Sequence, residues 1–483
     1  MPVHKVTDFL SEISSFFKKD DAHNAMYSIM DVIKWLKMTE TSLFGVKSKC
    51  NTVYSLLQVF QALLLYPCFM IRNPYHFGDS SLSHLLHCKK DVFYRFMSNP
   101  KIDWRKLVYY LNFQLWSKVK VRSEHKEGLT CLIVDDTDYP KTGRCIENIG
   151  RVHSHVQNKC ILGFKALFLA ITDGTSQLIL DFALLGEKGK KGNYGMSAQE
   201  LQQRFTKKRD DEDALQERIK EYSAKKTDLT IDMIKRAVSK GFRFRYVLAD
   251  SWFTCKDIIH FIRSRHIKCD YLGMIKVGEN SKTKYRFNRK SYTAPALIKL
   301  LSKGKQQKYS RKLRCHYIMA DVIFADINVR LFFVKRSKNG IWNGLMTTNT
   351  QLNFLEAYRI YAQRWALEVV FKEAKGLLGL GKCQANNFAS QIAATSLTAL
   401  QYNILSVVKR FIAYETMGKL FEAASKDSLE LSITEKIWGI LQEVIIAIAN
   451  LFGLADEEIY DAIINRSNEM EHICDIYKLK LAS

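Results

Sequence analysis

TCLIVDD at residues 130–136 and FRYVLAD at residues 244–250 are short apolar runs that end in aspartate. Each has the length and the apolar character of a buried strand. In a sheet with parallel strands, ligand-binding groups gather outside the carboxyl ends of those strands. If these two strands are neighbours, Asp135 and Asp250 lie side by side and need a cation or a shared proton. The alternative is that each aspartate only caps a turn or a helix.

The segments around these runs predict an α/β protein. ILGFKALFLAIT at residues 161–172 and QLILDFALL at residues 177–185 are separated by the turn residues Asp173-Gly174, which predicts three consecutive strands with the first run. Between residues 271 and 348, short strand-like segments alternate with basic turns and predict a separate, mostly antiparallel β insertion. Helical periodicity dominates residues 1–125 and resumes from Leu352 to the end.

The charge of the chain points to a polyanionic partner. The 483 residues contain 73 Lys and Arg against 49 Asp and Glu, a net charge of +24. Such an excess favours nucleic acid, because each neutralised phosphate releases counterions; the alternative is a surface charge that only keeps the protein in solution. The 47% of hydrophobic residues supplies a buried core and excludes disorder as a description of the whole chain.

Cysteine usage and hydropathy predict a cytoplasmic protein without membrane spans. Eleven cysteines are scattered without a C-x-x-C pair, which suits a reducing compartment. The N-terminal residues contain acids and lack a long apolar segment, so we do not expect a signal peptide. Two apolar runs, Val53–Ile71 and Ile437–Leu454, are interrupted by polar residues and are predicted to be buried core helices instead of membrane spans.

The stretch YAQRWALEVVFKEAK at residues 361–375 predicts one long helix with two different faces. Apolar side chains form one stripe, and the adjoining arc of roughly 80° is polar. That polar arc contains Tyr361, Arg364, Glu368, Lys372 and Lys375. Glu368 and Lys372 have the spacing of a simple i,i+4 ion pair. The remaining charges are explained as well if this polar face contacts phosphates and its one glutamate binds a metal ion.

The spacing Y-x2-R-x3-E-x6-K, formed by Tyr361, Arg364, Glu368 and Lys375, resembles the signature of the DDE transposases of bacterial insertion sequences. These are cut-and-paste enzymes whose RNase H-like domain is split by a β insertion. Asp135-Asp136-Thr137 resembles their first-aspartate motif, and the segment around Asp250 resembles the second. The resemblance covers roughly residues 125–390. It implies an RNase H-like mixed sheet with flanking helices, interrupted by an antiparallel β insertion, plus helical N- and C-terminal regions.

The resemblance also implies roles for individual residues. Asp135, Asp250 and Glu368 would hold two divalent metal ions, Mg²⁺ or Mn²⁺. Asp136 is an alternative first ligand, although alignment on Thr137 favours Asp135. Contacts with DNA are expected from six side chains, which are Tyr361, Arg364, Trp365, Lys372, Lys375 and Trp342. For Trp365 the alternative is that it only packs its helix against the sheet. For Trp342 the expected partner is a flipped base.

The implied activity is cleavage of the ends of an insertion sequence and joining of the freed 3′-OH ends to target DNA, through a hairpin intermediate. The partners would be double-stranded DNA, as terminal inverted repeats and as target, and a second copy of the chain in a synaptic homodimer. We expect a cytoplasmic, nucleoid-associated bacterial protein. The expected regions are 1–125 (DNA-end binding), 126–270 (first catalytic part), 271–348 (β insertion), 349–415 (second catalytic part, with Glu368) and 416–483 (helical, possible dimerisation).

Two other functions share these sequence features. A basic DNA-binding protein could keep the fold without the chemistry, although the presence of all three acids argues against it. A nuclease on the same fold would hydrolyse DNA without strand transfer, and it would not need the Tyr-Arg-Lys face.

Overall fold

The computed structural model describes residues 24–46, 53–121, 129–210, 213–264, 269–304, 306–412 and 414–452, together with Leu10, Phe17 and Ile267. Most of the first 23 residues and everything after residue 452 in the expected C-terminal region lie outside this part of the chain. The described helices are α1 (Ala25–Trp35), α2 (Glu40–Phe44), α3 (Leu56–Leu65), α4 (Leu82–Leu85), α5 (Lys90–Met97), α6 (Trp104–Val121), α7 (Ala198–Gln203), α8 (Ala214–Glu221), α9 (Lys226–Ser239), α10 (Lys256–Ile262), α11 (Ala294–Lys303), α12 (Phe354–Ala362), α13 (Trp365–Leu377), α14 (Phe388–Phe411) and α15 (Met417–Phe452).

The strands of the described residues form one mixed sheet in the order β2-β3-β1-β5-β6-β12-β11-β10-β7-β8, with β4 on β3 and β9 on β10. Their bounds are β1 (Cys131–Pro140), β2 (Gly150–Ser154), β3 (Lys159–Thr172), β4 (Gln177–Leu185), β5 (Tyr246–Ala249), β6 (Asp270–Ile275), β7 (Lys284–Phe287), β8 (Lys290–Thr293), β9 (Lys308–Ser310), β10 (Cys315–Phe324), β11 (Ile327–Lys335) and β12 (Asn343–Thr347).

The centre of this sheet has the RNase H-like order β4-β3-β1-β5-β6. Strands β4, β3 and β1 are antiparallel, whereas β1, β5 and β6 are parallel. Apolar side chains are buried along both faces of these strands, and β1 begins with four buried residues in succession. The predicted fold class, a mixed sheet with flanking helices and an antiparallel β insertion, is therefore confirmed.

The inserted strands do not form the separate sheet that the sequence predicts. Strand β12 pairs antiparallel with β6, and β11 and β10 continue from it, so the insertion extends the central sheet. Its outer hairpin, β7 and β8, is covered on its buried side by α11, whose apolar residues Leu297 and Leu301 are buried. The sequence could not reveal this continuity, because pairing of β6 with β12 joins residues about 70 positions apart.

A long buried helix connects the sheet to the N-terminal helices. Helix α14 is buried along most of its length and packs against α6, α1, α3 and β4. Its Asn403 accepts a hydrogen bond from the backbone N–H of Ile179 and donates to Asn112 of α6. The N-terminal helices are therefore anchored to β4 through polar as well as apolar contacts.

The two apolar runs have different environments. Helix α3, within Val53–Ile71, is buried in the core, as predicted. In the described part of Ile437–Leu454, Ile440 is 61% exposed and Leu441 and Val444 are exposed too, so the prediction of a buried core helix is wrong there. Apolar character alone does not say what covers a helix. Within the described part of the chain, no helix combines the length and hydropathy needed to cross a bilayer.

Asp181 in β4 is fully buried and lies at the centre of an ion-pair cluster. Its carboxylate lies 3.1 Å from Arg105 Nε, 2.8 Å from Arg236 Nε and 3.6 Å from Arg218 Nη1, and the Tyr109 hydroxyl donates to it. Burial raises the pKa of Asp181, but the three guanidinium groups outweigh this and hold it at about 2. The cluster joins α6, α8 and α9 to the sheet.

We predict that Asp181→Asn lowers the free energy of unfolding by ~3–5 kcal/mol, because it removes one of the two carboxylates, Asp181 and Glu221, that neutralise the buried arginines. Since the native pKa is below the unfolded value of about 3.9, the contribution of Asp181 is complete above pH 4 and is lost as the pH falls towards 2. Urea unfolding across this pH range measures both effects. The control is Asp232→Asn, which removes an exposed ion pair with Lys235 and should cost under ~1 kcal/mol. Equal losses in the two variants would contradict the prediction.

Candidate active site

Two aspartates lie together at the carboxyl ends of neighbouring strands. In the parallel pairing of β1 with β5, Val134 is opposite Ala249, so Asp135 and Asp250 follow at the same level of the sheet. The Asp250 carboxylate accepts a 2.5 Å hydrogen bond from the backbone N–H of Trp252, which orients it in the turn after β5. The juxtaposition expected from the two apolar runs is present.

Asp135 is placed where its negative charge is costly. Burial raises its pKa, the nearby Asp136 and Asp250 carboxylates raise it further, and the net value is about 7. The Arg364 guanidinium and the backbone N–H of Asp136 oppose this rise. The site therefore has a strong electrostatic demand for a cation beside Asp135.

Adjacent acids on β1 face opposite sides of the sheet, because side chains alternate along a strand. Asp135 faces α13, where it pairs with Arg364. Asp136 faces the other side, with its carboxylate 3.2 Å from Lys226 Nζ and 3.8 Å from Lys165 Nζ. Of the two candidates for the first acid, Asp135 is thus the one on the same side as Glu368.

The predicted single helix over residues 361–375 is wrong. Helix α12 ends at Ala362 and α13 begins at Trp365, with Gln363 and Arg364 in a turn between them. Around this turn the backbone N–H groups of Gln363, Arg364, Ala366 and Leu367 donate to carbonyls three residues earlier, which tightens the chain. No glycine or proline marks the break, so no local feature of the sequence predicts that the helix is interrupted here.

Arg364 bridges two of the three candidate acids. Its Nη1 donates to Asp135 Oδ2 at 2.7 Å, and its Nη2 donates to Glu368 Oε1 one turn along α13. The guanidinium is largely buried, with its side chain 14% exposed. Within the described residues, no three His, Cys, Asp or Glu side chains are arranged as a set of metal ligands. Instead, the guanidinium separates the carboxylates of Asp135 and Glu368.

Lys375 fixes the other end of α13 against β1. Its Nζ donates to Thr137 Oγ1 at 2.7 Å and to the backbone carbonyl of Asp138 at 3.1 Å. Thr137 and Asp135 share one face of β1, so Arg364 and Lys375 hold the helix to the strand at two points. Burial lowers the pKa of Lys375, and the attraction of the Asp138 carboxylate offsets this lowering only in part.

The remaining residues expected at DNA have varied positions. Trp365 is 62% exposed and does not pack against the sheet, so that alternative is wrong. Lys372 is exposed on α13, whereas Tyr361 is half-buried with its ring 5.8 Å from the Arg364 guanidinium. Trp342 lies in the loop before β12, where the Lys335 ammonium is 4.7 Å from its ring. Among the contacts of the described residues, Trp342 forms no hydrogen bond and no ring contact with Trp365, Lys372, Tyr361 or Arg364.

Sequence reasoning missed two residues on the far side of the aspartate pair. Lys226, at the start of α9, pairs with Asp136 and places its ammonium 4.9 Å from the ring of Trp252. Trp252 is 43% exposed, two residues after Asp250. Proximity in sequence could have indicated Trp252, but Lys226 belongs to a highly charged segment in which nothing distinguishes it from its neighbours.

Two protein-family models match the chain. One, described as a DDE superfamily endonuclease, matches residues 82–270, and the other, a transposase DDE domain, matches residues 218–404. No curated protein sequence matches it. Among solved structures, a piggyBac transposase synaptic complex with hairpin DNA aligns with 88% of this chain and 81% of its own chain, at 11% identity and a TM-score of 0.43. The two family matches extend between them from residue 82 to residue 404, and they support a transposase of the DDE type.

Proposed function

We propose that this protein is the transposase of a bacterial insertion sequence, which cleaves the ends of its element and joins the 3′-OH ends to target DNA. The observation that carries this proposal is that Asp135 and Asp250 lie at the ends of adjacent strands and that Arg364 joins Asp135 to Glu368 on the overlying helix. The matches to DDE endonuclease and transposase families support it.

The residues present fit a divalent-metal site. We assign Asp135, Asp250 and Glu368 as the ligands of two Mg²⁺ or Mn²⁺ ions, because hard cations prefer carboxylate oxygens. Burial and neighbouring acids raise the pKa of Asp135, which is the demand that a bound cation would satisfy. When bound, such ions supply activation of water and stabilisation of the leaving oxygen in an in-line displacement.

The protein's own residues position the DNA and the acids. Lys375 and Thr137 hold α13, the helix of Glu368, against β1, the strand of Asp135. Exposed Lys372 and Trp365 offer a cation and an aromatic surface beside Glu368, where they would contact the backbone and a base of the bound end. Tyr361 and Arg364 complete this phosphate-binding set, and Trp342 is proposed to stack on the base that is flipped out when the hairpin forms.

The insertion is proposed as a second surface for double-stranded DNA. Its residues 271–348 include 17 Lys and Arg against three Asp and Glu, so 78 residues carry +14 of the total +24. On β7, Lys284 and Arg286 are exposed on one face while Tyr285 between them is buried. An exposed, predominantly basic surface of this kind suits phosphate contacts, although Asp326 lies 4.0 Å from Arg286.

Synapsis of two ends would require two copies of the chain. We propose that the helical C-terminal region supplies the contact, because α15 exposes apolar residues along its length, namely Leu429, Ile433, Ile440, Leu441 and Val444. The N-terminal helices are proposed to read the terminal inverted repeats. The protein would act on DNA in the bacterial cytoplasm, at the nucleoid.

We predict that Asp135→Asn and Glu368→Gln each lower DNA cleavage by ~100-fold or more, since even outer-shell partners of metal ligands are worth 10–100-fold. Both variants should bind DNA as well as the native chain does. The measurement is Mg²⁺-dependent cutting of a plasmid that carries the gene's own flanking DNA, together with binding to the same DNA.

The matched control is Asp136→Asn, which changes the neighbouring acid on the opposite face of β1 and should retain cleavage. Thermal unfolding checks that all three variants fold. Loss of cutting in Asp136→Asn alone would move the first acid to that position, and loss of DNA binding in step with cleavage would refute the proposed roles.

We also predict that Lys284→Gln combined with Arg286→Gln reduces the slope of log binding constant against log salt by ~1–2, since each phosphate contact contributes about 0.9. A control with Lys235→Gln and Lys419→Gln removes two exposed lysines outside the insertion and should leave the slope unchanged. The experiment titrates salt against a duplex of the flanking DNA. Equal slopes in both double variants would exclude β7 from the DNA surface.

A further inference from the structure

We infer that Arg364 is a lock on the metal site, which stays closed to divalent ions until a DNA phosphate draws the guanidinium away. This inference rests on the proposed function and concerns the regulation of the same site. It makes metal uptake depend on bound DNA, so that a chain without DNA holds no loaded catalytic centre.

The first support is the place that the guanidinium occupies. Its two terminal nitrogens donate to Asp135 Oδ2 and to Glu368 Oε1, one oxygen from each of two proposed metal ligands. A cation between two ligands blocks another cation both by volume and by charge. Arg364 therefore stabilises the site in a form without metal.

The second support is that Arg364 lies on a short connection rather than within a helix. It occupies the turn between α12 and α13 and is the first flanking residue of α13, where its side chain makes no capping hydrogen bond. Its Nε is buried and forms no hydrogen bond within the described part of the chain. The ion pairs of the side chain are those with the two acids, and its guanidinium also lies 5.8 Å from the ring of Tyr361. None of these contacts is a backbone hydrogen bond of α13, so movement of the side chain would leave that helix intact.

The third support is that DNA offers an equivalent partner close by. Arginine binds phosphate and carboxylate with the same two-pronged geometry, so the exchange replaces one strong pair by another. The neighbouring Trp365 and Lys372 are exposed on the outer side of the turn, which is the side a DNA backbone can approach. Once Arg364 pairs with phosphate, Asp135 and Glu368 are left without their counter-charge, and their affinity for divalent cations rises.

A permanent structural ion pair is the competing explanation. An Arg–Glu pair at i,i+4 alone would only support the start of α13. The bond to Asp135 is different, because it ties the turn to the strand end that carries the most perturbed acid of the site. Coupling between DNA and metal must be reciprocal if the lock exists, since each ligand then favours the same state. A permanent pair gives no such coupling.

The test measures Mn²⁺ binding to the full chain by electron paramagnetic resonance, with and without a duplex of the gene's flanking DNA. Without DNA, Arg364→Gln should bind Mn²⁺ ~10-fold or more tightly than the native chain, within the usual range of coupling between sites. Adding the duplex should raise the affinity of the native chain by a similar factor and change that of Arg364→Gln little.

The matched control is Lys382→Gln, which removes one exposed positive charge from the segment that follows α13. Its affinity for Mn²⁺ without DNA should remain within ~2-fold of native, because an exposed charge is largely screened. An equal gain in both variants would mean that general charge, rather than the bridge, limits metal binding, and this would overturn the lock.

Two further outcomes separate the lock from the proposed function. If the native chain binds Mn²⁺ without DNA as tightly as Arg364→Gln does, while Asp135→Asn abolishes that binding, the lock is wrong and the metal site stands. If neither chain binds Mn²⁺ with or without DNA, both the lock and the proposed metal site fail. Thermal unfolding of Arg364→Gln confirms that the variant is folded, and Arg364→Lys, which cannot bridge both acids with two prongs, should show an intermediate affinity.

Discussion

Carboxylates withdrawn from water need cations, and this constraint determines how the helices are attached to the sheet. Asp181 in β4 gathers arginines from α6, α8 and α9. Asp136 pairs with Lys226 at the start of α9, and Asp135 pairs with Arg364 in the turn before α13. In each case the acid is on a strand and a cation comes from a helix or from the turn that precedes one, so charge neutralisation also fixes the position of the helix.

The same constraint distinguishes structural acids from the candidate catalytic ones. The three guanidinium groups around Asp181 more than offset its burial, so its pKa falls to about 2 and its charge is fully compensated. Asp135 has only one guanidinium against burial and two neighbouring acids, and its pKa rises to about 7. A fully compensated acid has no need of another cation. An under-compensated one beside a second acid, in contrast, has the electrostatics of a site that functions with an additional ion.

The sequence could predict the parts of the fold that depend on local patterns. The apolar runs that end at Asp135 and Asp250 predicted two buried strands, because a buried strand is short, apolar and followed by polar residues, whereas their pairing as neighbours was only one alternative. Alternation along β1 places Asp135 and Asp136 on opposite faces. The sequence could not predict which of these faces Glu368 shares, because this depends on which helix packs on which face. It also missed the break at Gln363–Arg364, since both residues are good helix formers. At this point the ion pair between Asp135 and Arg364 coincides with a tightened turn, which helix propensity does not predict.

The spacing Tyr-Arg-Glu-Lys also gains a different physical meaning from the structure. On a single helix the four residues would share one polar stripe, and their common function would be contact with phosphate. In the fold, Arg364 and Lys375 bind β1, whereas Lys372 and Trp365 of the same segment are exposed. Two of the cations thus set the distance between Glu368 and Asp135 before any DNA is present. Because Arg364 binds Asp135 and Lys375 binds Thr137 on the same strand, the motif records the docking of a helix on a strand as much as the recognition of a phosphate.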